Sequence, residues 1–238
     1  TRQHTEQITG NIEELQSQLT DTRWTAKGTP ATQEAVDAYL DAAADALDTD
    51  FGSAEDLRKL DAFDIDAVVH LAAVTGGCSE RDGMMVNVEG TRRLMRTLVD
   101  RGVKKFVMAS SIAVVGFQDK DFIPQALPMP DEHPCLDRHG YGFSKFLMEE
   151  VMKYHVRQTP DLDAIAFRLS VVTPRDGMPP KMKVCDRMDW GLGAMTVMPL
   201  DDALTVFTAG LDAPPKPGMR IMNAVPADAW ADDPVADI

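Results

Sequence analysis

Three short apolar runs separated by amphipathic stretches constrain this chain more than any other feature. Residues 66–71 (DAVVHL), 103–109 (VKKFVMA) and 164–172 (AIAFRLSVV) are too short for buried helices and too continuously apolar for strands with one wet face. They read as strands covered on both sides, the mark of a parallel sheet. Between the first two, residues 87–100 predict a helix with Val88, Leu94, Met95, Leu98 and Val99 inward and Arg92, Arg93 and Arg96 outward. Gly102 stands where such a helix is capped. Residues 141–158 predict a longer helix before the third run. Strand, helix, strand, helix, strand at these lengths implies βαβ crossovers and an α/β fold.

Around this core the sequence divides into three regions. Residues 1–47 read as an atypical N-terminal segment with helical spacing at Ile8, Ile12, Leu15 and Leu19, and again at Ala35, Val36, Tyr39, Leu40 and Ala43. Residues 24–30 read as a turn region, with a helix start at Thr29–Pro30. Residues 48–174 hold the strand–helix alternation. Residues 175–238 read as a small substrate-binding portion and tail, with a helix near 202–211 and a strand at 219–223. The methionines Met178, Met182, Met188, Met195 and Met198 fit either a substrate pocket or irregular core gaps.

Charge and cysteine content bound the function from outside. The net charge is −14 over 238 residues, a surface that repels nucleic acid and anionic membranes. No apolar run approaches the roughly 20 residues of a membrane span, and Thr1 to Gly10 lacks a signal-peptide core, so the expectation is a cytoplasmic protein. Cys78, Cys135 and Cys185 are odd in number and widely spaced, which argues for free thiols over a disulfide framework or a metal site.

The chemistry-bearing residues fall at strand ends and at one helix start. Tyr141 and Lys145 are four apart at the start of the second helix and so share a face. A free tyrosine is a poor base near neutral pH, and a neighbouring ammonium favours its phenolate. The same spacing also fits an ordinary amphipathic helix start. Ser110 and Ser111 end the second strand, where ligands sit in parallel sheets. A serine there either steadies a substrate oxygen or satisfies loop amides. His70, ending the first strand before Leu71, Ala72 and Ala73, reads as structural more readily than as a catalyst.

Taken in order, His70–Leu71–Ala72–Ala73, Val86–Asn87–Val88–Glu89–Gly90–Thr91, Ser110–Ser111–Ile112–Ala113–Val114–Val115–Gly116, Tyr141–Gly142–Phe143–Ser144–Lys145 and Phe167–Arg168–Leu169–Ser170 resemble the extended short-chain dehydrogenase/reductase family, the NAD-dependent epimerase/dehydratase group. The resemblance covers residues 48–223 and implies a Rossmann-like doubly wound parallel sheet. It implies hydride transfer at a hydroxyl or carbonyl carbon of a sugar, sugar acid or nucleotide sugar. Tyr141 would be the general acid/base, Ser111 the catalytic serine, and Lys145 both a partner of the tyrosine and a ligand of the cofactor ribose. NAD or NADP would be held by Asp50, Phe51, Leu71, Ala72, Ala73, Asn87, Ser110, Lys145, Arg168, Leu169 and Ser170. Asp202 matches an acidic position at a late helix. A sugar-like small molecule is the expected partner, and a homodimer would use Phe146, Met152 and Tyr154 of the Tyr/Lys helix unless the monomer buries them.

The sequence also departs from that family. Its glycine-rich GxxGxxG turn, which cradles a pyrophosphate at a helix N-terminus, has no counterpart here; Ile8–Thr9–Gly10–Asn11 keeps an ITG without the later glycines. Val115 stands where a tyrosine is common. Two alternatives follow: a non-catalytic Rossmann-fold binding protein that has lost the phosphate loop, or a fragment of an active enzyme. The fragment would expose an apolar patch where absent elements dock.

Overall fold

The computed structural model describes residues 25–26, 29–30, 54–75, 77–126, 128–181 and 192–232. The expected helices of residues 1–47, together with Asp50, Phe51, Met182, Cys185 and Met188, lie outside the described residues. Within the predicted turn region, β1 (Thr25–Ala26) and β2 (Thr29–Pro30) pair antiparallel, so Thr29–Pro30 is a strand.

A parallel four-stranded sheet organises the rest. After α1 (Ala54–Leu57) and a 3₁₀ turn (Arg58–Ala62) come β3 (Ala67–His70), β4 (Lys105–Ser111), β5 (Asp163–Leu169) and β8 (Gly218–Ala224), hydrogen-bonded in that order. Each run recognised in the sequence is one of these strands, although the third divides. Ser170 interrupts it, and β6 (Val171–Thr173) leaves to pair with β7 (Val197–Pro199). β8 pairs with β5 along its whole length. The boundary read between residues 174 and 175 therefore cuts through the sheet, since the C-terminal portion supplies the fourth strand. Among the described residues β3 is hydrogen-bonded on one edge only, and it exposes Val69 and, just past its end, Leu71.

The helices cover both faces. On one side Phe106, Met108, Ala164 and Ala166 meet Leu94, Met95 and Leu98 of α3 (Gly90–Asp100) and Met148 and Met152 of α4 (Gly140–Gln158). On the other, Val107, Ile165 and Phe167 pack against Ala203, Val206 and Phe207 of α5 (Leu200–Asp212). Alternate residues of each strand thus enter opposite cores, which explains why the runs carry no polar alternation. Met195 and Met198 are buried, the second among the residues under α5, so core filling is their role. Met152 is likewise a core residue and is not available to a partner chain; Phe146 is half-buried and Tyr154 exposed.

The helix expected at residues 87–100 begins earlier. Ser79 caps it by accepting from the Asp82 backbone N–H, α2 (Glu80–Asp82) follows, and a π-helical stretch (Gly83–Glu89) leads straight into α3. Gly102, at φ +94°, ends α3 as expected. Cys78 and Cys135 are free thiols. No helix among the described residues is long and apolar enough to cross a membrane.

His70 ends β3 pointing into the protein. Thr91 Oγ donates to the Asn87 carbonyl at 2.5 Å, which uses the hydroxyl's one proton. The His70 Nε2 atom, 2.9 Å from the same oxygen, must therefore carry a hydrogen and donate. Burial, then the positive charge of Lys145, hold this imidazole at a pKa of about 4.

Two outcomes follow for stability. Met148 is fully buried between α4 and the sheet, so Met148→Ala costs about 2–5 kcal/mol, read as a lower urea midpoint at unchanged slope. His70 is neutral when folded but takes up a proton in the unfolded chain below its ordinary value of about 6.5. Its contribution is present above that value and lost as pH falls towards about 4. His70→Asn flattens the fall of thermal midpoint across that window; a fall of unchanged steepness would exclude His70 as its source.

Candidate active site

The site lies at the carboxyl end of β4, where α4 crosses it. Tyr141, Lys145 and Glu149 are spaced i, i+4 and i+8 on α4 and form one stripe. Each meets one of three consecutive residues of β4. Tyr141 faces Ser111, whose hydroxyl favours the phenolate, while Ser111 Oγ accepts from the Ala113 backbone N–H at 3.1 Å. Lys145 Nζ donates to the Ala109 carbonyl at 2.8 Å. Glu149 Oε1 accepts from Ser110 Oγ at 2.6 Å. Gly142 lets the helix come this close: a Cβ there would stand 2.6 Å from the Ala113 carbonyl oxygen and 2.4 Å from Asp137 Cγ.

Glu149 anchors this arrangement. Its carboxylate is fully buried and grips Arg168 of β5 with two parallel bonds, Nε to Oε1 and Nη2 to Oε2, each 2.9 Å. Arg168 Nη1 also donates to the carbonyls of Asp131 and His133 at 3.1 and 3.4 Å, which ties the loop before α4 to the sheet. Ser110 and Arg168 are directly paired in the β4–β5 ladder, so both side chains rise on the same face towards Glu149. Both side chains, expected from sequence as cofactor contacts, are buried and bonded to Glu149.

Asn87 fixes the neighbouring strand end. Its amide exchanges two hydrogen bonds with the Val74 backbone, 2.7 and 3.0 Å, and donates to Ser144 Oγ at 2.8 Å. The loop carrying Leu71, Ala72 and Ala73 is thereby tied to α4. Leu71 and Ala72 are exposed and Ala73 half-buried. Leu169 ends β5 half-buried, and Ser170 Oγ, just beyond it, is buried with no hydrogen-bond partner among the described residues. Asp202 lies in the exposed first turn of α5, beside Asp201, which pairs with Arg175 at 2.6 Å.

Burial dominates the electrostatics. It lowers Lys145 to about 8, with Glu149 acting in the opposite direction. It raises the Tyr141 phenol, while the neighbouring Ser111 hydroxyl acts to lower it. The Lys145 ammonium lies 5.9 Å from the centroid of the tyrosine ring. The phenol thus sits above its ordinary range, whereas sequence reasoning expects the lysine to pull it down. Glu149 itself was not singled out from sequence; its place one turn beyond Lys145 on the same stripe is the signal that finds it.

Comparison with known proteins agrees with this arrangement of elements. Residues 12–188, more than half the chain, match the NAD dependent epimerase/dehydratase family. A segment of 107 residues is 32% identical to UDP-glucose 4-epimerase 2 of Oryza sativa subsp. japonica, covering 43% of this chain and 25% of the relative. The chain spans about a quarter to a third of the length of the curated relatives it matches. Among solved structures, a mutated uronate dehydrogenase is 25% identical with a TM-score of 0.59, over 78% of this chain and 61% of the other. The UDP-glucose 4-epimerase of Bifidobacterium longum, solved with NAD+ and UDP, shares the fold at TM-score 0.63 and 20% identity over 77% and 63%. With strands, helices and family match in agreement, the chain belongs to the NAD dependent epimerase/dehydratase family and has its α/β, Rossmann-like fold.

Proposed function

We propose that the protein is an NAD-dependent oxidoreductase or epimerase acting at a hydroxyl carbon of a sugar, sugar acid or nucleotide sugar. The observation that carries this reading is the convergence of Tyr141 and the buried Lys145 on the carboxyl end of β4, with Lys145 Nζ on the Ala109 carbonyl at 2.8 Å and 5.9 Å from the tyrosine ring, beside Ser111. A phenol and a hydroxyl close together at a strand end are two proton-carrying groups that one substrate oxygen can touch at once. Names of relatives support the sugar class: UDP-glucose 4-epimerases and a uronate dehydrogenase are among them.

The strand ends fit a dinucleotide on its nicotinamide side. Exposed Leu71 and Ala72 offer an apolar, low-relief surface for a flat ring, and the Lys145 ammonium supplies a donor for ribose hydroxyls. Ser170, whose hydroxyl is buried and unpartnered among the described residues, is a further donor at the same end of the sheet. Asp50 and Phe51 remain the proposed adenine contacts. When bound, NAD supplies the two-electron acceptor that an alcohol carbon needs.

The chain's own residues then manage a proton. Tyr141 Oη takes the proton of the substrate hydroxyl, or returns it to a carbonyl oxygen. Ser111 Oγ donates to the same oxygen and keeps it in line with the phenol. Lys145, held on the Ala109 carbonyl, stabilises the phenolate by charge. A non-catalytic binding protein is the second reading, and the raised Tyr141 favours it, because a phenol above its ordinary range is a weak acid and a scarce base at neutral pH.

Titration of the purified chain with NAD(H) and NADP(H) by calorimetry separates the two readings when followed by turnover with UDP-sugars and uronates. The enzyme reading expects NAD to bind and Tyr141→Phe to lower kcat by about 10²-fold or more at nearly unchanged cofactor affinity, with Lys145→Ala weakening cofactor binding itself. Binding without turnover of any of these sugars leaves the binding-protein reading, and a folded chain that binds neither nucleotide refutes the enzyme reading.

A further inference from the structure

Resting on the reading of Tyr141, Ser111 and Lys145 as a reaction centre, we propose that Glu149 is a positioning residue for it: its buried carboxylate keeps Lys145 a cation and sets the height of α4 on β4. Three observations carry this. Glu149 is one helical turn from Lys145 on the same stripe, with no exposed surface. Its two oxygens are held by Arg168 and Ser110, so the charge has one fixed location. Ser110 lies between the residue that receives Lys145 and the residue that meets Tyr141, so whatever holds Ser110 also holds those two contacts in register.

The charges facing Lys145 make the carboxylate necessary. From β3 comes His70, neutral at working pH. On β5, Arg168 is a permanent cation bonded to Glu149 and to loop carbonyls, not to Lys145. On α4 itself stand Tyr141, uncharged until it titrates, and Glu149. Cys78 lies near Tyr141 with its thiol pushed up by burial, hence neutral. Among these described groups Glu149 is the one carboxylate. Without it, the buried Lys145 ammonium would lose the one charge that opposes its desolvation, and a buried lysine, unlike arginine, yields by losing its proton. A neutral Lys145 cannot stabilise a phenolate. The role is therefore more than packing: a side chain of the same shape but no charge would hold Ser110 and still leave the centre without its cation.

The test reads Lys145 directly and needs no turnover. The full chain is labelled with ¹³C at lysine Cε, its Lys145 signal is assigned with Lys145→Arg, and its midpoint is followed by NMR against pH. Glu149→Gln is expected to lower that midpoint by about one unit or more, and Glu149→Asp to keep it near the parent value. A midpoint that stays, or that rises towards the free-lysine value of about 10.4, overturns the proposal, since packing alone predicts one of these. Should Glu149→Gln not fold, Arg168→Gln decides. Removing the guanidinium that shares the Glu149 charge raises the Lys145 midpoint while α4 amide protection is retained; an unchanged midpoint, or a rise accompanied by loss of that protection, overturns the proposal. Shifts as expected in a chain that never turns over a sugar would refute the oxidoreductase reading and leave the charge role standing. Turnover with NAD but no shift in Glu149→Gln would refute the charge role alone.

Discussion

The ion pair between Glu149 and Arg168 is the interaction on which the site depends. Burying two charges is costly, and the cost is offset only when geometry is good and the remaining lone pairs and protons are satisfied. Here both conditions hold. The guanidinium meets the carboxylate with two parallel bonds, Ser110 occupies a further lone pair, and the remaining arginine nitrogen reaches two loop carbonyls. Four segments converge on one carboxylate: β4, β5, α4 and the loop before α4. None can slide without leaving a charge unpaired in the interior. That is a penalty of about 3–5 kcal/mol for a pair broken on one side, larger than most single packing defects. The register of β4 on β5 is part of the same constraint. Ser110 opposite Arg168 puts both on the face of α4, and a slip of one residue would turn Arg168 into the core under α5.

How much of this was legible in the sequence depends on the range of the interaction. The three strands were, because burial on both faces leaves an apolar run that needs no partner to be recognised. The Tyr141–Lys145 face was, because helical spacing is local. The start of the helix before α3 was not. Ser79 and Asp82 carry a readable cap, yet Met84, Met85 and Val86 are consecutive, apolar and exposed, and the π-helical turn they occupy abolishes the 3.6-residue period that sequence reasoning looks for. The fates of Ser110 and Arg168 were equally hidden. Either could face a ligand or the interior, and what decides it is a carboxylate on another element. β8 as the fourth strand of the core is a matter of the same kind, a pairing made far along the chain after β6, β7 and α5 have intervened.

The electrostatics of the centre add a step that neither the motif nor the fold contains. A phenol ordinarily titrates slightly below a lysine ammonium, by about half a unit. In this site burial moves the two in opposite directions, the phenol up and the ammonium down to about 8, so the order is inverted. Raising the pH of the resting protein would first neutralise Lys145, and the phenolate would then form without its cation. Glu149 already opposes the fall of the ammonium, because a fixed negative charge beyond Lys145, on the side away from Tyr141, strengthens the ammonium more than it weakens the phenolate. Along the stripe it is one turn from the lysine and two from the tyrosine, and its influence falls off with distance. The order of residues on α4, phenol, then ammonium, then carboxylate, is therefore an electrostatic sequence as well as a structural one. A chain that kept the tyrosine and lysine but placed a neutral residue at position 149 would retain the motif and lose the negative charge beyond the lysine.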